Sequence, residues 1–184
     1  MRARAPAEPL EDGVVILRAW RSEDVDAIVA ACSDAETAAW IHALPQPYTR
    51  ADAEAYLAAV AAAAAAGRGA GFAIVVGDAV AGSIELRVVD SDHAVGEIGY
   101  WAAPAVRGLG LTTRALRLLS RWAIRDLGAQ RLQIRADVEN VPSRRVAENA
   151  GFTYEGVLRS SGFNPRRGRR IDYAVYSLLP GEES

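Results

Sequence analysis

The sequence predicts a mixed α/β domain with its strands gathered in the middle of the chain. Three observations predict it. Strand-like runs follow one another from Gly71 to Trp101, where a strictly alternating βαβ chain would interpose helices. Helical patterns at Thr49–Gly67 and Leu111–Asp126 flank that region. A length of 184 residues, 51% hydrophobic and 24% charged, suits one soluble core, with residues 1–13 as a flexible N-terminus and 14–184 as a single domain.

The elements follow in order. Met1–Pro9 is rich in Pro, Ala and Arg and is expected to fray. Val14–Ala19 reads as a first strand. Ser22 is an N-cap candidate with Glu23 and Asp24 in the first turn, and Val25, Ile28, Val29 and Cys32 share one helical face. A short helix over Ala35–Ile41 stops before the Pro45–Pro47 loop. Thr49 with Asp52 three residues on approximates a capping box for the helix that ends at Gly67. Gly71–Val76 and Ala79–Val89 flank Gly77-Asp78 as a hairpin, and Asp90–His93 turns the chain into a strand over Val95–Trp101. After the helix at Leu111–Asp126, Arg131–Ala136 alternates as a strand does. Pro142 suits a first helical turn, and that helix stops before Gly151. Thr153–Leu158 and Ile171–Leu179 are the last strands, with the polar run SSGFNPRRGRR as the loop between them.

Composition narrows the function. A net charge of −2 gives no global case for nucleic acid or an anionic membrane. No secretory h-region follows Met1 and no apolar run is long enough to span a bilayer, so a cytoplasmic location is expected. The single cysteine, Cys32, cannot form an internal disulfide and reads as a buried structural residue. His42 and His93 lack metal-ligand spacing and no Cys/His cluster exists, so no metal is expected.

The stretch around which the chain is organised is EIGYWAAPAVRGLGLT, Glu97 to Thr112. A strand ends at Pro104, a glycine turn follows, and a long helix starts at Leu111. Glycines let the backbone approach an anion, the first amides of a helix have no intrahelical acceptor, and the helix dipole favours negative charge. Arg107 opens the turn with a guanidinium suited to phosphate. The run reads as a pyrophosphate site. A P-loop is excluded because the chain contains no lysine. A Rossmann fingerprint would put Thr113 at its third glycine and Asp137 at the ribose-binding acid, and this stays open as a weaker alternative.

The spacing of Arg107, Gly110 and Thr112 resembles motif A of the GNAT acyltransferases, Arg/Gln-x-x-Gly-x-Gly/Ala, from which Thr112 departs. EIGYW and the later NVPSRRVAENAGF are similar to the RimJ/RimL branch, the N-terminal acetyltransferases of ribosomal proteins and their relatives. The resemblance runs from about Val14 to Leu179. It implies a GNAT fold: a central, mostly antiparallel sheet of about seven strands, helices on both faces, and a bulged fourth strand leading into the acyl-CoA pyrophosphate loop.

The same resemblance implies roles. Backbone groups of Tyr100, Trp101 and Ala102 would pair with the pantetheine arm of acetyl-CoA and polarise the thioester carbonyl. Arg107, Gly108, Leu109, Gly110, Leu111 and Thr112 would hold the pyrophosphate. Asn140 would bond the pantetheine arm, and Ser143 would protonate or stabilise the departing thiolate, although both residue types also cap helices. Glu97 would be the general base, with burial raising its pKa; the competing reading is an ion-paired strand carboxylate. Ala147 stands where many GNATs place a tyrosine acid. The implied reaction is acetyl transfer to a primary amine, a protein N-terminus or a small molecule, by direct attack in a ternary complex. A homodimer, a longer acyl donor such as succinyl-CoA, and a non-catalytic acyl-CoA sensor remain open. Acceptor specificity would lie in the Trp40–Tyr48 and Ser160–Arg170 loops, the latter with Arg166, Arg167, Arg169 and Arg170 as a solvated cluster.

Overall fold

Alternating apolar residues build an eight-stranded sheet, seen in a computed structural model that describes residues 1–183. The elements are β1 (Leu10–Glu11), β2 (Ile16–Arg18), α1 (Val25–Cys32), α2 (Ala35–Trp40), α3 (Arg50–Ala65), β3 (Gly69–Val76), β4 (Ala79–Asp90), β5 (Val95–Ala102), α4 (Leu111–Arg125), β6 (Arg131–Asp137), α5 (Val141–Asn149), β7 (Thr153–Asn164) and β8 (Arg169–Leu178). The strand order is β1-β2-β3-β4-β5-β6-β8-β7. Every neighbouring pair is antiparallel except β5–β6. A dinucleotide fold needs a run of consecutive parallel strands, so the Rossmann alternative falls.

The sheet's two faces serve different purposes. Ile84, Leu86 and Ile98 point to the side where α4 lays down Ala115, Leu116, Leu119, Trp122 and Ala123, and this is the main core. Phe72 and Trp122 meet edge to face with centroids 5.7 Å apart. On the opposite face, a smaller core of Val25, Ile28, Cys32, Tyr48 and Ala53 joins α1 to α3, with Trp20, Tyr56 and Trp101 packed against it. Gly71 brings α3 close, since a Cβ there would meet the Val60 side chain.

Several expectations are met at the level of single caps. Thr49 and Asp52 form the capping box of α3, with the Asp52 carboxylate accepting from the Thr49 N–H at 2.8 Å. The β3–β4 hairpin turns at Gly77, whose φ of +59° suits glycine. Others are corrected. Ser22 does not cap α1; the chain enters through a 3-10 turn at Ser22–Asp24, where buried Asp24 accepts from the Arg21 N–H and from Arg18 Nη1 and Nη2 at 2.7 and 2.8 Å. The N-terminal residues expected to fray are docked: Ala3 is buried and donates its N–H to the Gly67 carbonyl, and Leu10–Glu11 adds an eighth strand.

The polar run 160–170 is mostly strand. β7 continues to Asn164 and β8 starts at Arg169, with an irregular register between Leu158 and Gly162. Asp172 accepts from the Ser160 N–H, and Arg170 Nε donates to the Ser160 carbonyl at 2.8 Å, so polar groups hold this stretch together. β7 is an edge strand with few buried side chains, so its sequence has no apolar alternation to show.

The feature that positions the site is a divergence. β5 and β6 pair over only three rungs, Val95–Arg131, Gly96–Leu132 and Glu97–Gln133. Beyond them β5 stays paired to β4 as far as Ala102–Gly82, and β6 stays paired to β8 as far as Asp137–Tyr173. The inner edges of residues 98–102 and 134–137 therefore face a gap. The bulge expected in the strand leading to the loop is absent from that stretch; the β4–β5 irregularity lies at the other end, between Val88 and Asp90. No helix among the described residues is long and apolar enough to cross a membrane.

Gly82 holds the far end of β5 in place, because a Cβ there would collide with the Trp101 carbonyl oxygen. Gly82→Ala is expected to destabilise the fold by about 1–3 kcal/mol in urea unfolding, the usual cost of overpacking. Unchanged stability would mean that the end of β5 yields freely.

Candidate active site

The gap between β5 and β6 opens into a cleft of about 1180 Å³ that runs from the glycine turn before α4, past the N-terminus of α5, to the segment between α2 and α3. At one end lies the turn. Gly108 and Gly110 adopt φ of +78° and +76°, conformations that other residues rarely take. Gly110 is the residue that begins α4, and no side chain caps that helix. Among the described residues, the N–H groups of Gly108, Gly110, Leu111, Thr112 and Thr113 make no backbone hydrogen bond outside the helix, whereas Leu109 donates to the Val106 carbonyl at 3.4 Å and Arg114 to the Gly110 carbonyl at 3.2 Å. Converging amides at a positive helix end form an anion cradle. Leu109 is 66% exposed at its rim.

Arg107 departs from expectation. Its guanidinium turns away from the cradle to α2, donating to Glu36 and Thr37 at 2.8 Å each and to the Asp34 carboxylate. Asp34 also caps α2 through the Thr37 N–H at 2.9 Å. Arg107 holds the Asp34 carboxyl below its usual range. The charge assigned to phosphate is thus already neutralised, and the cradle is mainly backbone.

Asn140 and Ser143 stand at the cleft wall where α5 begins. Asn140 Oδ1 accepts the Ser143 N–H at 3.1 Å, so the asparagine is the N-cap and its Nδ2 remains a donor. Ser143 Oγ donates to the Tyr100 hydroxyl at 3.2 Å, and that hydroxyl donates to the Ser143 carbonyl at 2.9 Å. The pair joins β5 to α5 beside the gap. Burial pushes the Tyr100 phenol well up, so it stays protonated. Ala147 is fully buried in α5, and no tyrosine can act from there. Trp101 packs against Trp20 with centroids 6.3 Å apart, and Ala102 ends the strand at the cleft.

Glu97 is corrected in its chemistry. It is 4% exposed and accepts from Arg87 at 2.6 Å, from Arg135 at 2.6 and 3.1 Å and from Gln133 at 3.0 Å. Burial acts to raise its pKa, but the hydrogen bonds from Arg135 and Gln133 and the two arginine charges outweigh it and hold the carboxyl below its ordinary value. Four donors occupy its oxygens. A base needs a free lone pair and a pKa near neutrality, and Glu97 has neither.

A second glutamate fits better. Glu85 pairs with Gly99 across the β4–β5 ladder, on the same face as Glu97, and it lines the cleft. Burial raises its pKa against the opposing charge of Arg87, whose Nε lies 3.7 Å away. Gly99 opposite leaves the carboxylate unobstructed from that side. Nothing local in the sequence marks Glu85; only the pairing of the hairpin with β5 brings it to the cleft.

The arginine cluster is solvent-exposed as expected, and it is also a clamp. Arg166 donates to the carbonyls of Ala38, Ile41 and Leu44, and Arg167 lies 5.5 Å over the Trp40 ring. Arg167 and Arg169 both bond Glu139 at 2.6 Å, and Arg170 bonds Ser160. The β7–β8 turn is thereby fastened to the α2–α3 connection and to the start of α5.

Comparison with known proteins agrees with this fold. The model of the acetyltransferase (GNAT) domain family matches residues 15–153. YdaF of Bacillus subtilis, whose name assigns it provisionally as a ribosomal N-acetyltransferase, is 38% identical over 104 residues, 56% of each chain. The chain thus aligns with about half the length of the curated relatives it matches. A GCN5-related N-acetyltransferase from Brucella melitensis superposes with a TM-score of 0.80 at 29% identity, over 98% of this chain and 82% of the other. RimJ of Mycobacterium smegmatis, solved with CoA-disulfide, shares the fold with a TM-score of 0.82 at 24% identity, over 95% and 87% of the two chains.

Removing the Glu97 charge tests its structural role. Glu97→Gln is expected to cost about 1–3 kcal/mol at pH 7, because buried charged hydrogen bonds are lost. The folded pKa is depressed, so the wild-type contribution is in place above the ordinary glutamate value of about 4.3 and disappears as pH falls through the folded value. Urea unfolding between pH 7 and pH 3 should show the gap between the two proteins closing on the acid side. A constant gap would contradict the assignment.

Proposed function

Because the chain belongs to the GNAT acetyltransferase family, we propose that it transfers an acetyl group from acetyl-CoA to a primary amine by direct attack in a ternary complex. The observation that carries this reading is the juxtaposition of the β5–β6 gap with the backbone anion cradle before α4. A pyrophosphate seated on the amides of Gly108–Thr113 would send a pantetheine arm along the gap. Unpaired backbone groups of β5 at Tyr100–Ala102 and the Asn140 side-chain amide are the donors and acceptors such an arm needs. An N–H at the end of the arm would stabilise negative charge on the thioester oxygen.

In this reading Glu85 removes the ammonium proton of the acceptor, directly or through one water, and the free amine attacks the carbonyl carbon. The tetrahedral intermediate collapses with loss of the thiolate, and the Tyr100–Ser143 hydroxyl pair relays to the sulfur the proton that the attacking nitrogen gives up, so both hydroxyls end protonated. Glu97 keeps β4, β5 and β6 together beneath the reacting atoms and takes no proton. The name of the Bacillus relative supports an acceptor of the ribosome, for which we propose a protein N-terminus, and the solved complex of the Mycobacterium neighbour supports coenzyme A in this fold.

Calorimetric titration of the purified protein should show acetyl-CoA binding, with NAD as the negative control. Leu109→Asp, an exposed change that places a carboxylate at the cradle, should weaken acetyl-CoA about tenfold, or 1.4 kcal/mol, without lowering stability. Glu85→Gln should leave acetyl-CoA affinity unchanged and lower kcat roughly 10²–10⁴-fold. In the wild type the rate should climb as pH rises through the elevated Glu85 pKa, and that limb should be absent in Glu85→Gln. Full turnover by Glu85→Gln would remove this residue from the mechanism.

A further inference from the structure

Two side chains in the cleft wall have polar atoms that no group among the described residues satisfies. Asp137, at the end of β6, is 6% exposed; its Oδ1 accepts the Glu139 N–H at 2.9 Å, but buried Oδ2 has no partner. His42, in the irregular segment after α2, has both ring nitrogens buried and unpartnered. Both residues line the same cleft, and Asp137 is near enough for its charge to act on the imidazole. Buried polar groups are almost always hydrogen-bonded, and a cluster of exceptions in a concave site calls for a ligand that completes them.

The strand register says on which side they act. Glu97 pairs with Gln133, so Gln133, Arg135 and Asp137 share the face that carries Glu85 and Glu97, the face covered by α1–α3. The anion cradle opens α4, which packs on the opposite face of the sheet. Asp137 and His42 therefore belong to the side of the cleft left for the acceptor.

We propose that Asp137 and His42 form an anchoring subsite for the acceptor, which must carry a second N–H donor in addition to the nitrogen that is acetylated. Asp137 Oδ2 accepts a hydrogen bond from that donor. Burial lowers the His42 pKa, so the ring is neutral at pH 7 and offers one donor and one acceptor, the complement of an adjoining amide. The acceptor reaches both atoms as the 41–49 segment, which carries His42 and is tied down by Arg166 at Leu44, moves aside. The second donor is either a peptide N–H or a second amine, and the two sources are separable by experiment. This subsite rests on the acetyltransferase reading.

The test compares three acceptors, the dipeptide amide Ala-Ala-NH2, 1,3-diaminopropane and propylamine, in wild type, Asp137→Asn and His42→Phe. Asp137→Asn keeps the Oδ1 bond to Glu139 and turns the unpartnered acceptor into a donor. The variant-to-wild-type ratio of kcat/KM should fall about tenfold or more further for a donor-bearing acceptor than for propylamine, chiefly through KM. Loss confined to the dipeptide identifies a peptide N–H, and loss confined to the diamine identifies a second amine; either supports the subsite. Equal ratios for all three acceptors overturn it. Asp137→Asn should also melt at or above the wild-type temperature without ligands, because it removes an unsatisfied buried acid. A drop of several degrees would make Asp137 structural and overturn the proposal. Acetyl-CoA binding without turnover of any of the three overturns the subsite but not the cofactor reading; absence of acetyl-CoA binding overturns both.

Discussion

The cleft depends on one carboxylate. Glu97 lies on the last paired rung of β5 and β6, and it holds Arg87 from β4 and Gln133 and Arg135 from β6. Three strands are pinned at the apex from which two of them diverge. A sheet opened at one end loses ladder hydrogen bonds over 98–102 and 134–137, and the unpaired groups there must be offset by good pairing elsewhere. The outer ladders to β4 and β8 supply part of this, and the buried ion cluster fixes where the separation begins. Without that pin, the gap would have no defined apex and the cradle and cleft no fixed relation.

Much of this was legible in the sequence, for local reasons. Gly108 and Gly110 before a long amphipathic helix announce an anion cradle because positive φ and unpaired amides are properties of a few adjacent residues. The Thr49 capping box and the turn at Gly77 are local in the same sense. What the sequence hid is set by partners far along the chain. The destination of Arg107 is fixed by Asp34 and Glu36 on α2, about seventy residues earlier. Whether Glu97 is a base or a pin depends on Arg135 and Gln133, which only the strand register brings to it. The far end of β7 carries no local strand signal because an exposed edge strand can be polar throughout.

The two glutamates on one sheet face show how one arginine divides their roles. Arg87 lies between Glu85 and Glu97 but makes its short bond, 2.6 Å, to Glu97 and stands 3.7 Å from Glu85. Glu97 gains a second arginine from β6 and is held ionised, while Glu85 keeps only the weaker attraction and is raised by burial. Neighbouring carboxyls pushed apart in this way are a recurrent means of assigning acid–base roles.

Position along the cleft then orders the chemistry. The anion cradle is built from backbone, which cannot titrate and whose geometry is fixed by glycine φ and the start of α4. The middle carries Glu85 and the Tyr100–Ser143 pair, groups that hold or give a proton. The side covered by α1–α3 carries Asp137 and His42, whose polar atoms no described residue satisfies. A carboxylate so buried is costly to keep, and replacing it by an apolar residue would stabilise a fold with no use for it. Its place beside a cleft, with its other oxygen tied down so that Oδ2 alone is free, is the arrangement expected of a group that waits for a ligand.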